Sequence, residues 1–261
     1  YWIPPLRIER RLFLSRRQNA FFKHGDAQLF CAWRDGRVVG RISAQIDHAF
    51  NEYQDNRWGM FGFLEFEDDP EVLPALLAAA EGWLRPRGRD LMLGPMDFGI
   101  NDENGVLVEG YDREPMIKQP WHPPYYAARC EEAGLEKAMD LWMWELDISD
   151  REKIIPIVFE LASQVGPKHG VTIRKMTRRS LRRDMDRFAD VYNSAWSQNW
   201  GFSPYSKQDL DYYAQEMQLV FDAPWYMVAE KDGETVAVAI TVPDINQVLR
   251  RMNGRLLPLG W

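Results

Sequence analysis

The sequence is poor in the residues that build covalent or metal-held frameworks. It contains two cysteines, Cys31 and Cys130, and four histidines among 261 residues. The cysteines lie far apart and have no neighbouring Cys or His at the spacing of a zinc site. We therefore expect two reduced thiols in or near cores, and no metal site.

The chain also lacks an excess of positive charge and a long apolar run. Its net charge of −7 disfavours a dedicated nucleic-acid-binding protein, which needs a positive field to displace counterions from phosphates. No segment is apolar for long enough to cross a bilayer, and the first residues lack the order of a signal peptide. We expect a cytoplasmic protein without a membrane partner, and the sequence does not indicate its oligomeric state.

A local basic cluster is the best argument for a nucleic-acid partner. Its members are Arg178, Arg179, Arg182, Arg183 and Arg187. Their spacing is also typical of a solvated helix face, and aspartates at 184, 186 and 190 interrupt the cluster. We favour the solvated face, so nucleic acid is not an expected partner.

The order of the predicted elements indicates an α/β protein of the α+β type in two domains, residues 1–149 and 150–261. Two Asp-Gly turns predict β-hairpins, and strands are also expected at residues 59–66, 91–93, 138–146 and 171–176. Apolar stripes and capping signals predict helices after Pro70, after Pro124, from Asp150 to a stop at Gly166-Pro167, around Leu181–Ala195, and after Ser206.

The two hairpins share one pattern. Residues 31–39 align without a gap on residues 228–236, with Ala, Asp, Gly and Val in common, and Asp47 then aligns with Asp244. Any two Asp-Gly hairpins would share part of this likeness, because the turn itself dictates two of the matches. The alternative is that the chain contains two copies of one larger unit.

Several motifs favour the second alternative. The chain resembles the GNAT superfamily of acyl-CoA N-acyltransferases, and more closely a bacterial family of tandem GNAT-like proteins similar to YghO. The motifs that carry this resemblance are Gly94-Pro95-Met96-Asp97-Phe98, Asn101-Asp102-Glu103, Trp121-His122-Pro123-Pro124-Tyr125-Tyr126 and Asn199-Trp200-Gly201-Phe202. It implies two GNAT-like halves with mixed, mostly antiparallel sheets, the second incomplete at its C-terminal side.

The resemblance also implies where a cofactor would bind. In the superfamily, a glycine-rich loop at a helix N-terminus holds the CoA pyrophosphate. The matching place in the first half is Phe66-Glu67-Asp68-Asp69-Pro70-Glu71, which has four carboxylates, no glycine and a proline without an N–H. We expect a degenerate first half that scaffolds or lines a substrate pocket.

The second half is expected to hold the acyl-CoA site, but only beyond Trp261. The resemblance implies acetyl-CoA or another acyl-CoA as co-substrate of a longer protein. For residues 1–261 by themselves we expect no bound cofactor and no acetyl-CoA turnover.

N-acyl transfer needs a base for the amine, and three residues are candidates for it: Asp102, Glu103 and His122. The two acids could equally hold an ammonium group or cap loop N–H groups, and His122 could simply order its loop. Candidate contacts to a small-molecule acceptor are Asn101, Trp121, Tyr125, Tyr126, Asn199, Trp200 and Phe202, although aromatic residues at such places are often core anchors.

Three functions remain open at this point. The first is an acyl-CoA-dependent N-acyltransferase, by the resemblance an N-acetyltransferase, acting on a small amine or amino-acid-like acceptor. The second is a non-catalytic module that binds a small ligand. The third is an aminoacyl transferase that uses charged tRNA.

Overall fold

The computed structural model describes residues 1–257, except the side chains of Glu216 and Leu219. Contacts divide the chain into two compact units. The first comprises Tyr1–Asp140, Trp200–Ser203 and the residues from Asp244 onward, and the second comprises Leu141–Asn199 and Pro204–Pro243. The domain boundary at residues 149 and 150 stays a prediction.

The first unit contains a mixed four-stranded sheet in the order β1-β2-β3-β4. β1 pairs antiparallel with β2, β2 pairs antiparallel with β3, and β3 pairs parallel with β4. The strands are β1 (Gly25–Arg34), β2 (Arg37–Asp47), β3 (Trp58–Phe66) and β4 (Leu91–Leu93). Together with the helices of the chain they confirm the predicted α+β class.

One long helix covers a face of this sheet. In α3 (Val72–Leu84), Leu73, Leu76 and Ala80 are at most 2% exposed and pack against Ile42 of β2 and its neighbours. Burying one leucine side chain stabilises the folded state by about 2 kcal/mol. The stripe predicted from the sequence is therefore the core of the unit.

Shorter helices complete the first unit. They are α1 (Arg7–Phe13), α2 (His48–Gln54), α4 (Tyr125–Glu132) and α8 (Asn246–Met252). Phe13, at the end of α1, joins a second core cluster of Phe21, Phe63 and Phe98. This cluster fixes α1 against the unit.

The second unit contains an antiparallel three-stranded sheet in the order β5-β6-β7, with three helices. The elements are α5 (Pro156–His169), β5 (Thr172–Lys175), α6 (Leu181–Ala195), α7 (Lys207–Val220), β6 (Tyr226–Lys231) and β7 (Glu234–Ile240). Ser206 and Asp209 form the predicted capping box. The core joins Leu181, Met185 and Tyr226 with side chains from α7.

The arginines of α6 make ion pairs with neighbouring acids. Arg182 lies 2.8 Å from Asp211, and Arg187 lies 2.8 Å from Glu230. Arg174 of β5 forms two hydrogen bonds, of 3.0 and 2.7 Å, to the fully buried carboxylate of Asp184. Arg182 and Arg187 thus pair with acids, whereas Asp184, predicted on the solvated face, is fully buried because Arg174 binds its carboxylate.

Three sequence-based expectations are wrong. Residues 138–146 form no strand, and the apolar side chains there are exposed, with Trp144 at 89%. α5 does not stop at Gly166-Pro167 but continues to His169, because the Gly170 N–H closes the last turn on the Gly166 carbonyl at 3.0 Å, and the φ of +66° at position 170 suits glycine. Cys31 is exposed on β1 rather than buried in a core.

Helices long and apolar enough to span a membrane do not occur among the described residues. Residues 258–261 lie outside the described residues.

Candidate functional site

The loop after β4 packs directly on the backbone of β3. β4 pairs only with Trp58, Gly59 and Met60, and farther along β3 the Met96 N–H donates to the Phe61 carbonyl at 2.8 Å. A Cβ on Gly62 would lie 1.7 Å from the Met96 carbonyl oxygen. Glycine is therefore required where the loop crosses the strand.

Asp97 binds the loop to Phe63, a residue of β3 with an unusual backbone conformation. Its Oδ1 accepts a 2.8 Å hydrogen bond from the N–H of Phe63, whose φ of +47° is unusual for a bulky residue. Its Oδ2 lies 3.1 Å from Nη1 of Arg10. Burial raises the pKa of Asp97 to about 6, against the opposing effect of Arg10.

Arg10 also binds Glu103 of the same loop. Its Nη2 lies 3.2 Å from Oε1 of Glu103, and the Asp97 N–H donates to the Glu103 carbonyl at 2.7 Å. One guanidinium from α1 thus bridges two carboxylates of the loop. Neither Arg10 nor Asp97 was among the predicted site residues, although Asp97 lies within a motif that carries the resemblance.

The turn at residues 99–105 places Asp102 beside a second cation. Oδ1 of Asp102 lies 3.5 Å from Nζ of Lys118, and its side chain is 15% exposed. The amide of Asn104 donates 2.9 Å hydrogen bonds to the carbonyls of Ile100 and Asp102, and Asn101 is half-buried in the same turn. The loop is an ordered structure in which both candidate acids face a cation.

His122 is buried and uncharged. Its Nδ1 accepts a 3.2 Å hydrogen bond from the Leu107 N–H, and its ring lies 4.7 Å from that of Tyr126. Burial lowers the pKa of His122 to about 4. With Nδ1 as the acceptor, the proton of the neutral ring is on Nε2. This geometry orders the loop around Leu107.

Tyr125 and Tyr126 complete the end of β3. The Tyr126 hydroxyl accepts from the Phe66 N–H at 3.1 Å and donates to Oε2 of Glu65 at 3.2 Å. The Tyr125 hydroxyl donates to the Phe66 carbonyl at 2.6 Å. Burial raises the pKa of Tyr126, so the hydroxyl stays protonated. Both hydroxyls therefore bind backbone groups of Phe66, beyond the residues of β3 that pair with β4.

The acidic corner before α3 is neutralised by arginines. Arg37 pairs with Glu67, Arg129 with Asp68 at 2.8 Å, and Arg34 with both Asp69 and Glu71. The Glu71 N–H donates to Oδ1 of Asp69 at 2.9 Å, and the Val72 N–H donates to the Asp69 carbonyl at 3.2 Å. This corner does not suit a pyrophosphate, because four carboxylates surround it and these N–H groups are already engaged.

The remaining predicted residues lie in separate places. Trp121 donates from Nε1 to the Tyr111 carbonyl at 3.4 Å. Phe202 is buried in the first unit beside Tyr53, whereas Trp200 is 39% exposed there. Asn199 belongs to the second unit. Within the described residues, no group of three or more His, Cys, Asp or Glu side chains could hold a metal ion.

The candidate site therefore consists of the loop at residues 94–110 with α1 and the end of β3. It contains two groups of contacts that include residues the sequence did not reveal. Asp102 and Glu103 lie with Arg10, Asp97 and Lys118. His122 lies with Tyr126, Tyr125 and Glu65.

Two known proteins are similar to this chain along its full length. No family model matches the chain, and no solved structure matches it. It is 38% identical over 261 residues to a bacterial ceramide synthase of Caulobacter vibrioides, and it covers 67% of that protein. It is 36% identical over 260 residues to protein YghO of Escherichia coli, of which it spans 66%. The chain belongs to the family that includes the bacterial ceramide synthase and YghO.

Proposed function

We propose that this chain is part of an N-acyltransferase that joins an activated acyl group to the amine of a long-chain amino alcohol. The 38% identity to a bacterial ceramide synthase along all 261 residues carries the proposal. A ceramide is the amide of a fatty acid and such an amino alcohol, so its synthesis is an acyl transfer to nitrogen. The proposal replaces the small or amino-acid-like acceptor expected from the sequence with an amphiphilic one.

The GNAT architecture is part of the proposal. Its support is the order of hairpin, helix, strand and helix in the first unit, β1 to α3, and the repeated hairpin at β6 and β7. The acyl donor would be an acyl-CoA. The corner at Glu67–Glu71 does not suit the pyrophosphate of CoA. A CoA site beyond Trp261 stays a prediction.

We assign Asp102 and Glu103 to binding of the acceptor's ammonium group. Each carboxylate has a cation beside it, Arg10 at 3.2 Å from Glu103 and Lys118 at 3.5 Å from Asp102. A charged carboxylate still has lone pairs that accept N–H donors of an ammonium group. Asn101, in the same turn as Asp102, is the candidate contact to the rest of the acceptor. Trp121, Asn199, Trp200 and Phe202 stay sequence-based predictions.

We assign His122 to positioning rather than to proton transfer. Its Nδ1 accepts from the Leu107 N–H and its Nε2 carries the proton, so neither nitrogen has a free lone pair. We also assign Tyr125 and Tyr126 to positioning. Their hydroxyls bind the backbone of Phe66 and so hold the end of β3.

The test is amide formation by the full-length gene product that contains this chain. A long-chain acyl-CoA and a long-chain amino alcohol are supplied, and the amide is measured by mass spectrometry. We expect D102N and E103Q each to lower kcat/KM by about tenfold or more, as expected for loss of a charged contact. E109Q, at an exposed position of the same loop, is the control and should retain activity. Full activity of D102N and E103Q would remove the assignment, and absence of any amide product would remove the proposed reaction.

One observation favours a non-catalytic ligand-binding module as a second candidate. In the described part of the chain, the cofactor corner of the first unit is filled by the protein's own ion pairs, and His122 is not free to act as a base. Calorimetry with the amino alcohol, combined with the amide assay, distinguishes the two. The module binds this ligand and forms no amide at any acyl-CoA concentration, whereas the enzyme binds it and forms the amide.

A further inference from the structure

The outer face of α1 combines exposed aliphatic and arginine side chains. Ile8 is 53% exposed and Leu12 is 45% exposed, and Arg7 and Arg11 are exposed as well. Residues four apart lie one above the other on a helix, so Ile8 and Leu12 form one stripe, with Arg7 and Arg11 along its side.

The opposite face of α1 fixes this orientation. Arg10 binds Asp97 and Glu103, and the ring of Phe13 lies 5.3 Å from that of Phe98. Because these contacts hold one face of the helix inward, the face with Ile8 and Leu12 must point outward. Ile8 and Leu12 are therefore exposed as a result of how α1 packs in the folded unit.

The charge of this region is opposite to that of the chain. Residues 7–17 contain five arginines and one glutamate, whereas the whole chain has a net charge of −7. Arg16 and Arg17 follow α1 and are exposed. A basic patch on an acidic protein marks a surface that attracts a negatively charged partner.

We propose that α1 binds the surface of an anionic phospholipid bilayer, with Ile8 and Leu12 entering the interface and Arg7, Arg11, Arg16 and Arg17 contacting headgroups. Exposed aliphatic side chains beside arginines suit this partner, because acyl chains accept the former and phosphates the latter. Contacts to nucleic-acid phosphates would use the arginines alone.

Binding through this surface is expected to be reversible. α1 has seven residues and inserts only two aliphatic side chains, so apolar burial and charge must act together, as with other two-signal anchors. The sequence-based expectation of no membrane partner relied on the lack of a spanning segment, which a helix lying on the surface does not need. The proposal does not depend on the proposed reaction.

Vesicle co-sedimentation tests the proposal with the intact protein. Vesicles of phosphatidylcholine with about 30% phosphatidylglycerol are compared with vesicles of phosphatidylcholine alone, at low and high salt. We expect binding to the anionic vesicles, and weaker binding as salt increases. Equal binding to both kinds of vesicle, or none, would overturn the proposal.

Paired variants locate the surface. R7Q/R11Q should lower the partition coefficient about 25-fold, since each arginine near an anionic surface contributes about fivefold. I8S/L12S should lower it about tenfold or more. The control R57Q/R85Q removes the same charge elsewhere and should stay within about twofold. If the control loses as much as R7Q/R11Q, or if I8S/L12S binds like the wild type, the interfacial helix is wrong and the attraction is only electrostatic, as for an acidic protein or a nucleic acid.

A measurement on the wild-type protein avoids any effect of the variants on folding. Trypsin cleavage after Arg7, Arg11, Arg16 and Arg17 should slow when anionic vesicles are added, while cleavage after the exposed Arg57 should not change. Cleavage at residues 7–17 that is unaffected by vesicles would contradict the proposal.

Discussion

The hairpin β1–β2 and the hairpin β6–β7 have the same backbone but different surroundings. Their turns place Asp35 and Gly36 at φ of +51° and +75°, and Asp232 and Gly233 at +52° and +85°. Both ladders shift register at the same aligned position, after Ala32 in one and after Ala229 in the other. The likeness therefore extends beyond what an Asp-Gly turn dictates.

The likeness continues into the next helix. Oδ1 of Asp47 accepts from the Phe50 N–H at 3.1 Å at the start of α2, and Oδ1 of Asp244 accepts from the Asn246 N–H at 3.1 Å at the start of α8. Each helix has seven residues and is followed by a residue with a left-handed backbone, Asp55 or Asn253.

The surroundings of the second strand differ. In the first hairpin, β2 is flanked by β3 and most of its residues are buried. In the second, β7 is an edge of its sheet among the described residues, and its side chains are exposed or half-buried. The same local sequence pattern thus forms the same hairpin, whereas its burial depends on what the rest of the chain supplies.

The largest expected effect comes from disturbing β3, the strand that flanks the first hairpin and has no counterpart beside β7 among the described residues. G62A should destabilise the first unit by about 3 kcal/mol, because the new methyl group would collide with the Met96 carbonyl. Hydrogen exchange of residues 39–46 should rise toward that of β7. G82A, where a Cβ meets nothing within 4 Å, is the control and should be neutral or stabilising. Unchanged protection of β2 in G62A would mean that the loop does not support β3.

The second test concerns a buried carboxylate in the second unit. D184N should lower the free energy of unfolding by about 2 kcal/mol, because it removes the buried one of the two carboxylates that bind Arg174. The remaining partner, Glu230, and the partial exposure of Arg174 limit the loss. D190N, at an exposed position of the same helix, should change it by less than about 0.5 kcal/mol. Chemical denaturation measures both variants, and an equal effect of the two would contradict the role of the ion pair.

The third test contrasts the pH dependence of two aspartates. The pKa of Asp97 is raised to about 6, so its folded form binds more protons and stability falls as pH rises from about 4 to 6. Hydrogen bonds from Arg174 lower the pKa of Asp184 although burial opposes them, so its contribution is present above pH 4 and is lost below it. D97N should therefore gain about 2 kcal/mol relative to the wild type between pH 4 and 7. If the free energy of unfolding of D97N and of the wild type changes equally with pH, the pKa of Asp97 is not raised.

The smallest test compares the two turns directly. G36A and G233A should each cost about 1 kcal/mol, since both glycines have positive φ and open space around them. Equal losses of stability in G36A and G233A, measured by thermal unfolding, would support the similarity of the two hairpins. A twofold difference between them would show that one turn is strained by its surroundings.

Local patterns were sufficient to predict much of the fold. The Asp-Gly turns, the leucine stripe of α3 and the capping box at Ser206 each act through residues close in sequence, so the pattern determines the element. The predicted strand at residues 138–146 failed because alternating apolar residues form a strand only beside a partner strand. Pairing is a long-range property that periodicity does not encode.

The candidate site was predictable to a lesser degree. Asp102 and Glu103 were named from the sequence because N-acyl transfer needs a base, and their roles stay predictions. Arg10 was missed because it binds Asp97 from 87 residues away, and no sequence signal announces such a pair. The role of His122 depends on its burial, which only the folded chain reveals.

The contrast between the two cysteines has a practical consequence. Cys31 is exposed on β1, whereas Cys130 is half-buried and burial raises its pKa to about 11. Because the thiolate is the reactive form, a maleimide at neutral pH should modify the first and spare the second. Within residues 1–261, Cys31 is therefore the expected attachment point for a fluorophore or spin label, on the sheet of the first unit.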